Sequence, residues 1–361
     1  MSPAPETETA SPPGGTAAEP RAVAAGGPAA GGASAGGAAT SEVPTEWLPA
    51  LPVFVTLPVA AIAMLVLHLY LSASQPPDAA RHFTMFLGGV VGFSVAAAVL
   101  AALAAGVRRW LQRMGPIFAA GLLLLGAWEL VTAGLALLPM PYFPPPSGVL
   151  QSFMDDFGVI LDSTWHSLIL LLSGYALGVA VGLVTGICIG WSVRARYWGM
   201  PVLKVLGPIP ATAWIPLAMV VSPDSSYSAV GLIAVAVWFP VSMLTASGVA
   251  NTRASFLDVA RTLGAGRAYL IFRVAIPAAM PNIFVGLFMG LGASFLTLVV
   301  AETVGVKSGL GWYVAWAQGW AEYGKVYAAL IVMAVFFSTI MSLLFVVRDK
   351  VLVWQKGMIR W

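Results

Sequence analysis

Few residues in this chain could carry chemistry, and their types and spacing narrow the choices. Two carboxylates, Glu129 and Glu302, stand within or at the edge of long apolar runs. An ionisable group there is costly and is a functional candidate by default. Each also has a plainer reading: Glu129 as a hydrogen-bonded anchor of helix packing, Glu302 as a solvated or turn-capping group at a membrane boundary. The three histidines, His68, His82 and His166, are scattered. His166, at the end of an apolar run, reads as an interfacial hydrogen-bonding residue. The one cysteine, Cys188, lies in an apolar run and has no partner for an intrachain disulfide. No GxxxxGK[ST] loop occurs, so the chain has no phosphate cradle of its own. HExxH, paired CxxC and a Ser-His-Asp set are also missing. Neither catalysis nor a cofactor, metal or nucleic-acid partner is expected.

One polar stretch is patterned differently. Residues 251–277 read NTRASFLDVARTLGAGRAYLIFRVAIP. Val259, Leu263, Leu270, Ile271, Val274 and Ile276 supply apolar surface, while Arg261, Arg267 and Arg273 stay hydrated. The pattern predicts two short amphipathic helices with a hinge at Gly264, where the first helix must end. Pro277 is expected to stop the second helix just before the membrane. Such a segment presents a helix to the groove of a partner.

The elements around it are membrane spans. Apolar residues make up 59% of the 361 and charged ones 9%, with a mean hydropathy of +0.88. A soluble domain carries about 25% charged residues. Crossing the hydrocarbon takes about 20 apolar residues, and eight candidate spans follow: Leu51–Leu71, Thr84–Val107, Gly115–Leu138, Thr164–Trp191, Leu206–Val221, Tyr227–Val249, Ala279–Ala301 and Val326–Val347. The fifth holds Pro208, Pro210 and Pro216, which imply a kinked or broken helix. Such breaks are tolerated where protein or a water-filled cavity satisfies the freed backbone. With both termini cytoplasmic, fifteen of the 18 Lys and Arg residues lie inside. Only Arg81, Lys307 and Lys325 lie outside, which favours this orientation. Residues 1–48, rich in Ala, Gly and Pro, are expected to be a disordered cytoplasmic tail without signal-peptide character.

The 251–277 stretch resembles the EAA loop of ABC importer permeases. Asp258, Ala260, Gly264, Ala265, Phe272, Ile276 and Pro277 fall on that pattern; aspartate replaces the usual glutamate, and Val259 replaces one alanine. PYFPPPSGVLQSF, GPIPATAWIPL and AETVGVKSGLGWYV are similar to segments of the nitrate/sulfonate/taurine-type permeases. The likeness covers about residues 115–361. Gly207 stands where those permeases often carry arginine, and SPDSSYS replaces their usual loop after the fifth span.

The resemblance implies an all-α type-1 permease. Its domain covers 115–361, with a core at about 160–348, the coupling loop at 251–277 and two added helices within 49–110. It also implies a homodimer, two cytoplasmic ATPase subunits and an extracytoplasmic substrate-binding protein. Asp258, Ala260, Gly264, Ala265, Phe272 and Pro277 are then the ATPase-coupling residues. Trp214, Pro210 and Glu302 are candidates for the pathway or its gate, Trp214 having aromatic packing as its other reading. The solute expected is small and polar or anionic. Gly174, Gly178, Gly182 and Gly186 form a small-residue face for close packing within the subunit. Lys307, Trp312, Trp316 and Trp320 read as an outer interfacial helix, and RDKVLVWQKGMIRW as a contact with anionic lipid. The rival is a secondary transporter that needs no ATPase; it would show inverted repeats with paired intramembrane charges.

Overall fold

The computed structural model describes residues 55–355, Pro223 excepted. The expected tail lies outside them, as do Lys356 and Arg360. Among the described residues every regular element is helical. In chain order these are α1 (Thr56–Leu71), α2 (Pro77–Leu103), α3 (Ala105–Gly134), α4 (Pro146–Asp155), α5 (Phe157–Trp191) and α6 (Val193–Leu206). Then come α7 (Ile215–Val221), α8 (Ser225–Ala250), α9 (Ala254–Thr262), α10 (Arg267–Val304), α11 (Leu310–Gly319) and α12 (Tyr323–Val351).

Six helices are long and apolar enough to cross a membrane: α2, α3, α5, α8, α10 and α12. A seventh arises if α6 and the Ala211–Val221 segment count as one span, bent by 85°. The eighth expected span corresponds to α1, whose 16 described residues reach only about 24 Å. The bend falls at Gly207–Pro210, within the proline-rich run. Pro208 and Pro210 cannot donate to the ladder, and a 3₁₀ turn, Ala211–Trp214, carries the chain into α7.

The centre of the molecule is α8, packed between α5 and α10. The approach to α5 is set by absent side chains. A Cβ on Gly174, Gly182 or Gly186 would stand 2.6, 2.9 and 2.6 Å from the Cβ atoms of Ile233, Val241 and Thr245. One on Gly178 would stand 2.6 Å from the Ala234 carbonyl oxygen. Gly190 continues the row against Val249. The small-residue face thus packs within the subunit. Leu171, Ile233, Val237, Val241 and Leu298 fill the core beside it. Arg196 donates to the terminal carbonyls of α5, Nη2 to Gly190 O at 2.8 Å.

Two elements depart from expectation. Pro277 does not end a helix: α10 runs from Arg267 to Val304 without interruption. Its stretch Leu270–Ala275 winds as wider π turns, which re-pair the ladder around a residue that cannot donate. And α4, which is not among the expected helices, is an amphipathic helix between α3 and α5 in the chain.

Candidate functional site

Three clusters concern function. The first is α9 and its exit. No residue of α9 is buried; Phe256, Val259 and Leu263 are all exposed. Gly264 has φ +84°, and its N–H donates to Arg261 O at 2.9 Å while that of Ala265 donates to Ala260 O at 3.0 Å. This pair of bonds is the Schellman ending, which needs a left-handed residue between helix and exit. A Cβ at Gly264 would meet nothing within 4 Å, so conformation and not space demands glycine. Asp258 pairs with Arg261 on the same helix at 2.8 Å. Beyond the turn, Leu270 and Ala275 are buried, and Ala275, with Ala279 and Ile283 of the same helix, packs against Val249 of α8. Phe272 is exposed, and Pro277 lies in the first turn of the regular α-helix Ile276–Val304.

The second cluster is a cavity of about 950 Å³ beside the broken span. Pro210, Thr212 and Trp214 from the break face α8 residues such as Tyr227, Trp238 and Phe239, with Met289, Ala293 and Thr297 of α10 on the third side. Trp214 also packs against the main core. Among the described residues no charged side chain lines the cavity. Ser228 and Thr297 donate their hydroxyls to backbone oxygens of Ala218 and Ala293. The walls therefore offer a solute little to hold it tightly.

The third cluster surrounds Glu302, which does not line that cavity. Its side chain is fully buried at the end of α10. Ser167 of α5 donates to Oε1 at 2.6 Å, and the Gly311 N–H donates to Oε2 at 2.7 Å. The Leu310 N–H donates in turn to Ser167 Oγ at 2.9 Å. The Glu302 carboxyl thus takes the free Gly311 N–H at the start of α11 directly and is linked to that of Leu310 through Ser167, at the helix end that favours an acceptor. Gly309 and Gly311 make room for it: a Cβ on Gly309, at φ +107°, would lie 2.3 Å from Oε1. The AETVGVKSGLGW segment, with Ser167 of α5, therefore locks a span to the next helix, and in this arrangement Glu302 caps a turn. At the same end, Tyr313 of α11 donates to Asp156 Oδ2 at 2.8 Å. Burial, and then this bond, push its hydroxyl above the ordinary tyrosine range. His166 pairs with Asp162 in its own helix, as an interfacial residue would.

The fold brings Pro210 and Trp214 together and leaves Glu302 and the 258–277 residues apart from them. A fourth cluster bears out the plainer reading of Glu129 as a hydrogen-bonded packing anchor, but its partner, His68 of α1, is not legible in the sequence. Its partners are 61 residues apart, and no spacing rule joins them.

Residues 178–352 match the family of binding-protein-dependent transport system inner membrane components. The chain is 32% identical over 219 residues to the taurine transport system permease protein of Escherichia coli (strain K12), 59% of this chain and 79% of that protein. It is 30% identical to the bicarbonate transport system permease protein of Synechocystis sp. (strain ATCC 27184 / PCC 6803 / Kazusa), over 65% of this chain and 87% of that one. It is 29% identical to the nitrate import permease protein of Leptolyngbya laminosa, over 67% and 83%. Polytopic helices, an uncovered capped helix between two spans and these likenesses agree: the chain belongs to the binding-protein-dependent transport system inner membrane component family, as the membrane-spanning permease subunit of an ABC importer.

Proposed function

We propose that this subunit forms, as a homodimer, the pathway for a small polar or anionic solute of the taurine, nitrate or bicarbonate kind. The chain crosses the membrane eight times with both termini inside. Residues 115–361 form the permease domain, with its core at about 160–348, and the two helices within 49–110 are additions. The end carrying α9 is cytoplasmic and meets an ATPase subunit; the end carrying α4 and α11 is outside and meets the substrate-binding protein. The excess of Lys and Arg at the α9 end supports this orientation. The uncharged cavity bounded by Pro210 and Trp214 is the pathway's share from one subunit. It suits passage better than retention, so choice of solute rests with the binding protein. Exposed aromatic and basic groups at the inner surface contact lipid headgroups.

The observation that carries the reading is α9. A short helix with exposed Phe256, Val259 and Leu263, capped by a bonded left-handed glycine, is finished as a shape but left uncovered by the described residues of its own chain. An apolar helix face of this kind fits the groove of a partner. ATP hydrolysis in that partner then moves α9, and α10 carries the motion to the cavity wall. Replacing Val259 and Leu263 together by aspartate should leave insertion unchanged. It should abolish co-purification with the ATPase subunit and uptake. Retained ATPase binding by that variant would overturn the assignment of α9.

A further inference from the structure

The pair α1 and α2 lies outside the matched residues 178–352. It is nevertheless fastened to the rest by polar groups that take no part in the cavity or in α9. His68 and Glu129 are both fully buried, with Nδ1 2.5 Å from Oε1. The opposite ring nitrogen, Nε2, lies 3.2 Å from Ala80 O and 3.1 Å from Thr84 Oγ1. Thr84 gives its own proton to Ala80 O at 2.7 Å. Two acceptors facing Nε2 require that it carry hydrogen. Nδ1 is then left to bond the Glu129 carboxyl.

The connections continue outward. Gln75 donates to Glu129 Oε1 at 2.9 Å, and its own carbonyl accepts from Ser147 Oγ, in the first turn of α4, at 2.5 Å. His82 of α2 donates to Gln151 of α4 at 2.7 Å, and Gln151 donates to Asp155 at 2.7 Å. Asp156, next in the chain, accepts from Tyr313 of α11 and pairs with Lys325 of α12 at 3.0 Å. Polar contacts therefore run along one end of the molecule from the N-terminal hairpin to α11, where Glu302 holds the other side. Stability does not account for this. A buried charged pair gains little over well-packed apolar residues, and among the described residues Glu129 Oε2 has no partner. What such a pair supplies is a unique register between helices.

We propose that the α1–α2 hairpin is a brace that fixes α4, and through Asp156 fixes α11, at the end facing the binding protein. Glu129 is its positioning residue. The functional half of this inference rests on the orientation and partner proposed above. The test uses the full chain in lipid nanodiscs with its ATPase. The double substitution His68→Leu with Glu129→Leu removes both polar groups and fills the site. Glu129→Gln is the conservative variant, able to keep the acceptor for Gln75 but not the carboxyl that faces His68. Hydrogen exchange at the α4 amides should quicken about tenfold or more in the double variant, and less in Glu129→Gln, with α8 amides unchanged. The concentration of liganded binding protein that half-stimulates ATP hydrolysis should rise several-fold in the same order, at unchanged basal hydrolysis. Wild-type exchange of α4 in the double variant would refute the brace, whatever transport does. Loosened α4 with an unchanged response to binding protein would refute the positioning role. A wild-type complex that does not respond to binding protein at all would instead count against the assignment of the outer end, and the exchange data would still decide the brace.

Discussion

Substitution of Gly264 by valine isolates the geometry of the proposed coupling segment from its bulk. The residue sits at φ +84°, and a Cβ there would touch nothing within 4 Å. No steric clash with neighbours enters the cost. An ordinary L residue pays about 1–2 kcal/mol for the left-handed region, and a β-branched one about 2–3 kcal/mol. The chain can evade this by unwinding the last turn of α9. It then loses the bonds Gly264 N–H to Arg261 O and Ala265 N–H to Ala260 O, about 1 kcal/mol each. Either route places roughly 2–3 kcal/mol between the free loop and the shape that docks. At ~1.4 kcal/mol per tenfold, ATPase affinity should fall by about 30- to 150-fold. Asparagine, which tolerates this region, should lose much less, and alanine should fall between. The assay is titration of the ATPase subunit into nanodiscs holding each variant, with membrane yield as the control. Equal affinity for glycine and valine, or asparagine as poor as valine, would refute the conformational argument.

Three further outcomes are expected. Gly309→Ala brings a Cβ to 2.3 Å from Glu302 Oε1 at a backbone angle that disfavours side chains. It should destabilise the purified subunit by about 3 kcal/mol, read as a lower thermal midpoint. Glu302→Gln, which keeps an acceptor for Gly311, should cost less, and a reversed ranking would undo the lock. Trp214→Ala should reduce uptake with assembly intact; a normal uptake titration would leave this side chain a packing role only. In a Cys188→Ser background, cysteines at Ser222 and Gly319 should react from outside intact cells with an impermeant thiol reagent. Cysteines at Ser192 and Ser255 should not, and labelling of that second pair would reverse the orientation.

What could be read ahead of the structure follows from what is local in sequence. Long apolar runs report spans because the bilayer sets their length, and the prolines of GPIPATAWIP foretold the break. The four-residue recurrence of Gly174 to Gly186 foretold close packing, since one face of a helix repeats near that period. Glu302 could be marked as costly, but not as an acceptor for Gly311, because only the turn through Gly309 brings the two together. His68 and Glu129 each look isolated in the sequence; their bond depends on how α1 and α3 pair. Pro277 misled for a related reason. A proline ends a regular ladder, but the preceding π turns let α10 run through it, and no residue type announces such turns.

The wide turns at Leu270–Ala275 have a consequence for angular phase. A π turn equals one residue inserted into an α-helix, and each residue advances the helix by about 100° and 1.5 Å. The compass bearing of α9, relative to the membrane-embedded part of α10, is therefore set by one surplus residue. Removing a residue there would leave everything beyond Ile276 in place and swing α9 through about a quarter of a circle.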